Sequence, residues 1–144
     1  MQWVAAALLA CGCVSLAEVA DWPDAAVYVA KTSCGQSENA QSCTDLRARW
    51  TDIYGDAIAG KMESQRIVAR CLATGCDGAV EPDAMRSCAW REVIVKAENA
   101  SPDINDQSEM ARACGPEKLD DAGRQAAADL AKNWLILLGV TAQK

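Results

Sequence analysis

Residues 63–97, ESQRIVARCLATGCDGAVEPDAMRSCAWREVIVKA, decide how this chain folds. Ile67, Val68, Cys71 and Leu72, with Met62 just upstream, recur at helical spacing and form the apolar side of one helix. Gly75 and Gly78 mark where that helix stops. Pro82 then suits the first turn of a second helix, and Asp83 places an acidic group at the positive end of its macrodipole. Met85, Cys88, Ala89, Val93 and Ala97 share one broad face, with Trp90 and Ile94 alongside. Two helices joined by a glycine-containing turn predict an antiparallel hairpin over about 63–97.

Upstream, Leu46, Trp50, Ile53, Tyr54 and Ala57 recur every three or four residues, predicting an amphipathic helix over 44–59 that ends at Gly60. The polar stretch between Cys34 and Cys43 reads as a loop bracketed by cysteines, and Trp22-Pro23-Asp24 reads as a helix start in an opening segment over 21–31. Downstream, Ser101-Pro102 ends or redirects the chain. Asp106 and Glu109 have the spacing of a capping box, with Asp in the usual Ser or Thr place, which predicts a short helix to Ala113 before Gly115-Pro116. A last helix covers about 119–138, with Leu119, Ala122, Ala126, Ala127, Leu130, Trp134 and Leu137 facing inward and the alanines allowing close approach of a neighbour. No alternating run of strand type stands out, so the expected class is all-α.

The chain has 144 residues, 51% of them hydrophobic, enough to bury a core in one compact domain. Its net charge of −6 and pI near 4.6, with no lysine- or arginine-rich stripe, argue against a nucleic-acid reader or a polybasic membrane binder. Histidine is absent, which removes the commonest general base and the catalytic triads and metal sites built on it.

The first seventeen residues, MQWVAAALLACGCVSLA, hold an uncharged run from Trp3 to Val14 followed by Ser15 and Ala17 at the small-residue positions of a cleavage site. They read as a secretory signal peptide over 1–17, too short to span a bilayer, leaving a helical domain over 18–144. Leu8-Leu9-Ala10-Cys11 also resembles the box at which bacterial lipoproteins are acylated, so a lipid anchor at Cys11 is an alternative. Cys11 and Cys13 leave with the leader, and six cysteines remain: Cys34, Cys43, Cys71, Cys76, Cys88 and Cys114. An even number, with no Cys-x-x-Cys pair among them, reads as disulfides formed in an oxidising compartment, periplasmic or extracellular. The alternative, a four-thiolate zinc site, lacks its usual paired spacing.

The order of the hairpin resembles a Sel-one-like repeat, a relative of the tetratricopeptide repeat with two antiparallel helices per unit. Leu72, Gly75, Gly78, Val80, Asp83 and Trp90 carry the resemblance, with Asp83 and Trp90 seven apart and Val80 three before Asp83. Asp77, Ala79, Ser87, Ile94 and Val95 depart from the family's pattern, and the likeness covers one unit, about a quarter of the chain. One unit cannot bury both its faces, so the helices at 44–59 and 119–138 are expected to cap it. The resemblance implies tetratricopeptide-like hairpins and an adaptor or binding scaffold with a partner peptide in the groove between helices. If the hairpin turn is centred near residue 79 or 80, Cys71 faces Cys88. Cys34 then pairs with Cys43 by proximity and Cys76 with Cys114 by remainder, one of fifteen possible connectivities.

Candidate chemistry is sparse. Asp120 and Asp121, and the nearby Asp103 and Asp106, read as solvated charges and helix starts rather than acid–base pairs, and the alternation of a calcium loop is missing. A cysteine nucleophile has no evident base. Trp22, Trp50, Trp90 and Trp134 read as core rather than as a stacking surface for ligands. Asn99-Ala100-Ser101 fits a glycosylation sequon, which matters only in a eukaryotic source. No catalytic, cofactor-binding or metal-ligating residue is assigned. The expected function is therefore a small exported protein–protein interaction module: an adaptor, or an inhibitor or immunity partner of an envelope enzyme. The alternatives are a carboxylate-dependent hydrolase and a structural envelope lipoprotein.

Overall fold

The computed structural model describes residues 21–97 and 102–142, and every statement of structure concerns these. The leader, Cys11 and the Asn99 sequon lie outside the described residues. Asp24 opens the described chain by capping a single 3-10 turn, its carboxylate accepting the Ala26 amide at 2.8 Å. Helix α1 (Ala40–Ile58) starts earlier than its apolar spacing predicts, because the Asn39 side chain accepts the Ser42 amide and draws Cys43 into the first turn. Helix α2 (Met62–Thr74) ends at left-handed Gly75, and α3 (Ala84–Lys96) begins after Asp83, whose carboxylate accepts the Arg86 amide at 2.9 Å. Pro82 thus stands just outside α3 rather than in its first turn.

Helix α4 (Ile104–Ala113) has its capping box one turn upstream of the expected one. Asp103 is the cap, and Asp106 is the residue that reaches back to the Asp103 amide. Helix α5 (Asp121–Ala142) completes the all-α fold. The described residues contain one isolated bridge, Val29 with Val80, which fastens the opening segment to the hairpin turn through Glu81 N to Tyr28 O at 2.8 Å.

Helix α3 is the centre. It packs against α2, α4 and α5, while α1 packs on the far side of α2. Accordingly Cys88, Ala89, Trp90, Val93 and Ile94 are all fully buried, and Ser87 is buried with its hydroxyl donating to the Ala69 carbonyl at 2.8 Å. Trp22 lies over the junction of α3 and α5, its ring centroid 5.4 Å from Trp90 and 5.5 Å from Trp134, which are 4.8 Å from each other. Tyr28, Trp50 and Tyr54 make a second aromatic group between the opening segment and α1, where Trp50 Nε1 donates to the Ala25 carbonyl at 3.0 Å.

The buried row of α5 is Ala127, Ala131, Trp134 and Leu138: Ala127 and Trp134 face inward as expected, and the rest of the face is turned toward Ala131 and Leu138. Ala122 and Ala126 are exposed, and Leu119, Leu130 and Leu137 are only half-buried. Trp134 sets that rotation, because the row that carries it to Trp90 is the row at 127, 131 and 138.

Candidate functional site

A cleft of about 670 Å3 lies between the first half of α1 and the end of α2. Ser42, Asp45 and Arg49 recur along one face of α1, while Arg70 and Thr74 stand one turn apart on α2. Cys76 and Asp77, in the turn that follows, close one end. The lining is mostly polar, with the half-buried Leu46 as its apolar contribution. Asp45 is engaged by the Gln41 amide at 2.7 Å. Neither Arg49 nor Arg70 takes part in any ion pair found among the described residues. Each is exposed, and each presents a guanidinium suited to a carboxylate from outside the chain.

Two of the three disulfides among the described residues stand at the rims of this cleft. Cys34–Cys43 ties the loop before α1 to its first turn, and Cys71–Cys76 ties the end of α2 to the turn after it. The third, Cys88–Cys114, joins α3 to the C-terminal cap of α4. The expected Cys71–Cys88 and Cys76–Cys114 bridges are therefore corrected. Asp83 N donates to Leu72 O and Ser87 Oγ to Ala69 O, so the hairpin is centred near residue 78 rather than 79 or 80. That shift sets Cys88 level with Val68, about one helical turn from Cys71. The left-handed turn at Cys76 instead folds its sulfur back over α2, with its Cα 4.8 Å from that of Cys71.

Arg47, next to Leu46 of the cleft lining, ties down the chain beside it. Its Nη2 donates to the carbonyls of Ala30 and Gly78, each at 2.9 Å, and to that of Thr32, while Nε reaches Ala79 O at 3.4 Å. One guanidinium thus fastens the opening segment, α1 and the hairpin turn together. Sequence reasoning passed over Arg47, Arg49 and Arg70, because arginines on the polar side of an amphipathic helix carry no local sign of what they meet.

The six residues that carry the repeat resemblance have structural places in the hairpin. Leu72 and Val80 are buried, Gly75 and Gly78 have φ of 80° and 81°, Asp83 caps α3 and Trp90 is fully buried. The carboxylates considered for acid–base work are also structurally engaged. Asp120 accepts the Gly123 amide at 2.7 Å, Asp121 pairs with Arg124, and Asp103 caps α4. Asp106 receives Arg66 in a two-point ion pair, at 2.9 Å and 2.6 Å, which joins α4 to α2 and holds the Asp106 carboxyl below its usual pKa. Arg91, buried in α3, faces Glu109 of α4 at 3.8 Å, and burial lowers its pKa. Cys88, Cys114 and Glu92 bring potential metal-ligating atoms within 4.8 Å of one another, but the two sulfurs are joined to each other at 2.05 Å and offer no thiolate.

Comparison of the chain with protein-family models, curated proteins and solved structures finds no match in any of the three. The geometry of the cleft and the chemistry of its lining therefore carry the functional reading.

Proposed function

We propose that this chain is an exported, disulfide-braced helical domain without catalytic activity of its own, which acts by binding another protein through the α1–α2 cleft. The observation that carries this reading is a preorganised polar cleft. Its rims are cross-linked by Cys34–Cys43 and Cys71–Cys76, Arg47 ties the opening segment and the hairpin turn to α1 beside it, and it presents Arg49 and Arg70 without acidic partners among the described residues. A surface held in shape before contact loses little conformational entropy on binding. Two free guanidiniums favour a partner segment that carries carboxylates. Three disulfides suit an oxidising compartment, and the apolar run over 3–14 supplies a route of export. An adaptor, or an inhibitor or immunity partner of an envelope enzyme, fits this description, as does the scaffold role implied by a Sel-one-like hairpin.

The test compares the wild-type protein with an Arg49→Glu/Arg70→Glu variant by cross-linking in the native compartment and mass spectrometry of the products. The reading expects one protein partner to be retained by the wild type and lost by the variant at equal helix content. Equal retention by both proteins, or no partner with either, overturns it.

A further inference from the structure

We propose that the Cys71–Cys76 bridge is a thiol–disulfide exchange site, attacked at Cys76 from the cleft by an external dithiol, while the other two bridges stay closed. Two observations mark this bridge. Gly75, Cys76, Asp77 and Gly78 all have positive φ, at 80°, 45°, 59° and 81°, and Cys76 and Asp77 are the only non-glycine residues in that region among the described ones. Left-handed backbone is unfavourable for side chains with a Cβ, so the oxidised turn holds strain that its release would relieve. In addition, Cys76 lines the cleft whereas Cys71 is fully buried, so an external thiolate meets the bridge at Cys76 from the cleft side.

The exchange balances in two steps. A thiolate of the dithiol forms a bond to Cys76 Sγ as the Cys71–Cys76 bond breaks, and Cys71 Sγ leaves with the electron pair and takes up a proton. The second thiol then attacks the mixed disulfide at the dithiol's own sulfur, and Cys76 leaves as a thiol. The dithiol is oxidised to a disulfide, the bridge gains two electrons, and two protons pass to Cys71 and Cys76. The consequence for the cleft rests on the interaction reading above, since the released turn is one of its walls. The exchange itself is measured without any partner.

The experiment equilibrates the folded, fully oxidised protein with graded ratios of reduced to oxidised dithiothreitol, traps thiols by alkylation and maps them by mass spectrometry, with helix content followed in parallel. Alkylation is expected at Cys71 and Cys76 first, with Cys34–Cys43 and Cys88–Cys114 intact and the helices retained. Asp77→Gly removes the left-handed penalty without adding bulk, so it is expected to make the bridge harder to reduce, by about fivefold in the exchange constant. Opening of either other bridge first, simultaneous loss of all three, or an Asp77→Gly variant that is equally or more easily reduced would overturn the proposal. None of these outcomes bears on whether the cross-linked partner of the previous test is found.

Discussion

Asp106 does three things with one carboxylate: it completes the capping box of α4, accepts Arg66 from α2, and lies buried beside the charge of Arg91. Its pKa is held below 3.8, chiefly by the Arg66 hydrogen bonds. A carboxyl depressed in the folded state stabilises fully above its unfolded pKa, and that contribution is lost as pH falls through the lower folded value. Asp106→Asn is therefore expected to cost about 2 kcal/mol near neutral pH and to flatten the loss of stability on acidification below about pH 4, read by urea unfolding across pH. The chain's two tyrosines give the opposite sign. Tyr28 and Tyr54 are both buried, neither hydroxyl has a partner of good hydrogen-bond geometry, and burial raises both pKa values, with each phenol also acting on the other. Ionisation is thus deferred to the unfolded state, and stability falls as pH rises through the ordinary phenol value of 10.0. Phenolate absorbance should rise in one steep step that coincides with loss of helical circular dichroism; a gradual titration near pH 10 in folded protein would contradict the burial of these rings. Asp106 stood out in the sequence as a helix start, but Arg66, forty residues away, gave no sign of being its partner.

Between α2 and α3 the hairpin depends on one position that only glycine fills well. Gly75 has φ of 80°, and a Cβ there would lie 3.2 Å from Pro82 Cγ and 3.3 Å from the Val80 carbonyl oxygen. Gly75→Ala is expected to cost about 2 kcal/mol. Gly55, in the body of α1, would gain a Cβ with nothing within 4 Å, so Gly55→Ala is expected to stabilise by about 0.5 to 1 kcal/mol. Thermal midpoints of the two variants should therefore move in opposite directions. Helix spacing and punctuation in the sequence located the five helices of the described residues, because each is encoded within a few turns. It placed Ala127 and Trp134 of α5 inward but missed Ala131 and Leu138, and it misplaced the cap of α4, because the rotation of a helix is chosen by the groove that receives it. Trp134 against Trp90 settles the first and Arg66 the second.

Across the whole molecule, the three bridges divide the work of holding it together. Cys34–Cys43 and Cys71–Cys76 brace the α1–α2 cleft, whereas Cys88–Cys114 secures α4 to the central helix. In the chain-entropy account, replacing both cysteines by alanine is expected to cost about 3.5 kcal/mol for the 88–114 bridge, about 2.6 for 34–43 and about 2 for 71–76. Denaturant midpoints of the three double variants test that order. Intact mass of protein from its native compartment is expected to start at Glu18 and to lie six hydrogens below its reduced form. Peptide mapping without reduction should link 34 to 43, 71 to 76 and 88 to 114. A lipid-bearing Cys11 at the N-terminus would replace the secretory reading with the lipoprotein one.

By itself, the sequence determined the helical class, the glycine and aspartate punctuation of the hairpin, the even cysteine count and the absence of histidine chemistry. These rest on local rules, since a helical period, a cap or a turn is decided by residues within a few positions of one another. The Cys34–Cys43 loop was legible for the same reason. Tertiary structure alone decided which remaining sulfurs meet, which face of α5 is buried, what Arg47 and Arg66 hold, and that Arg49 and Arg70 stand unpaired over one cleft. Such choices depend on register and rotation, and moving the hairpin centre from 79 or 80 to about 78 displaces the residue opposite Cys88 by nearly a full turn. Helical periodicity is indifferent to that shift, whereas the packing of Trp22, Trp90 and Trp134 and the fold-back of Cys76 are not.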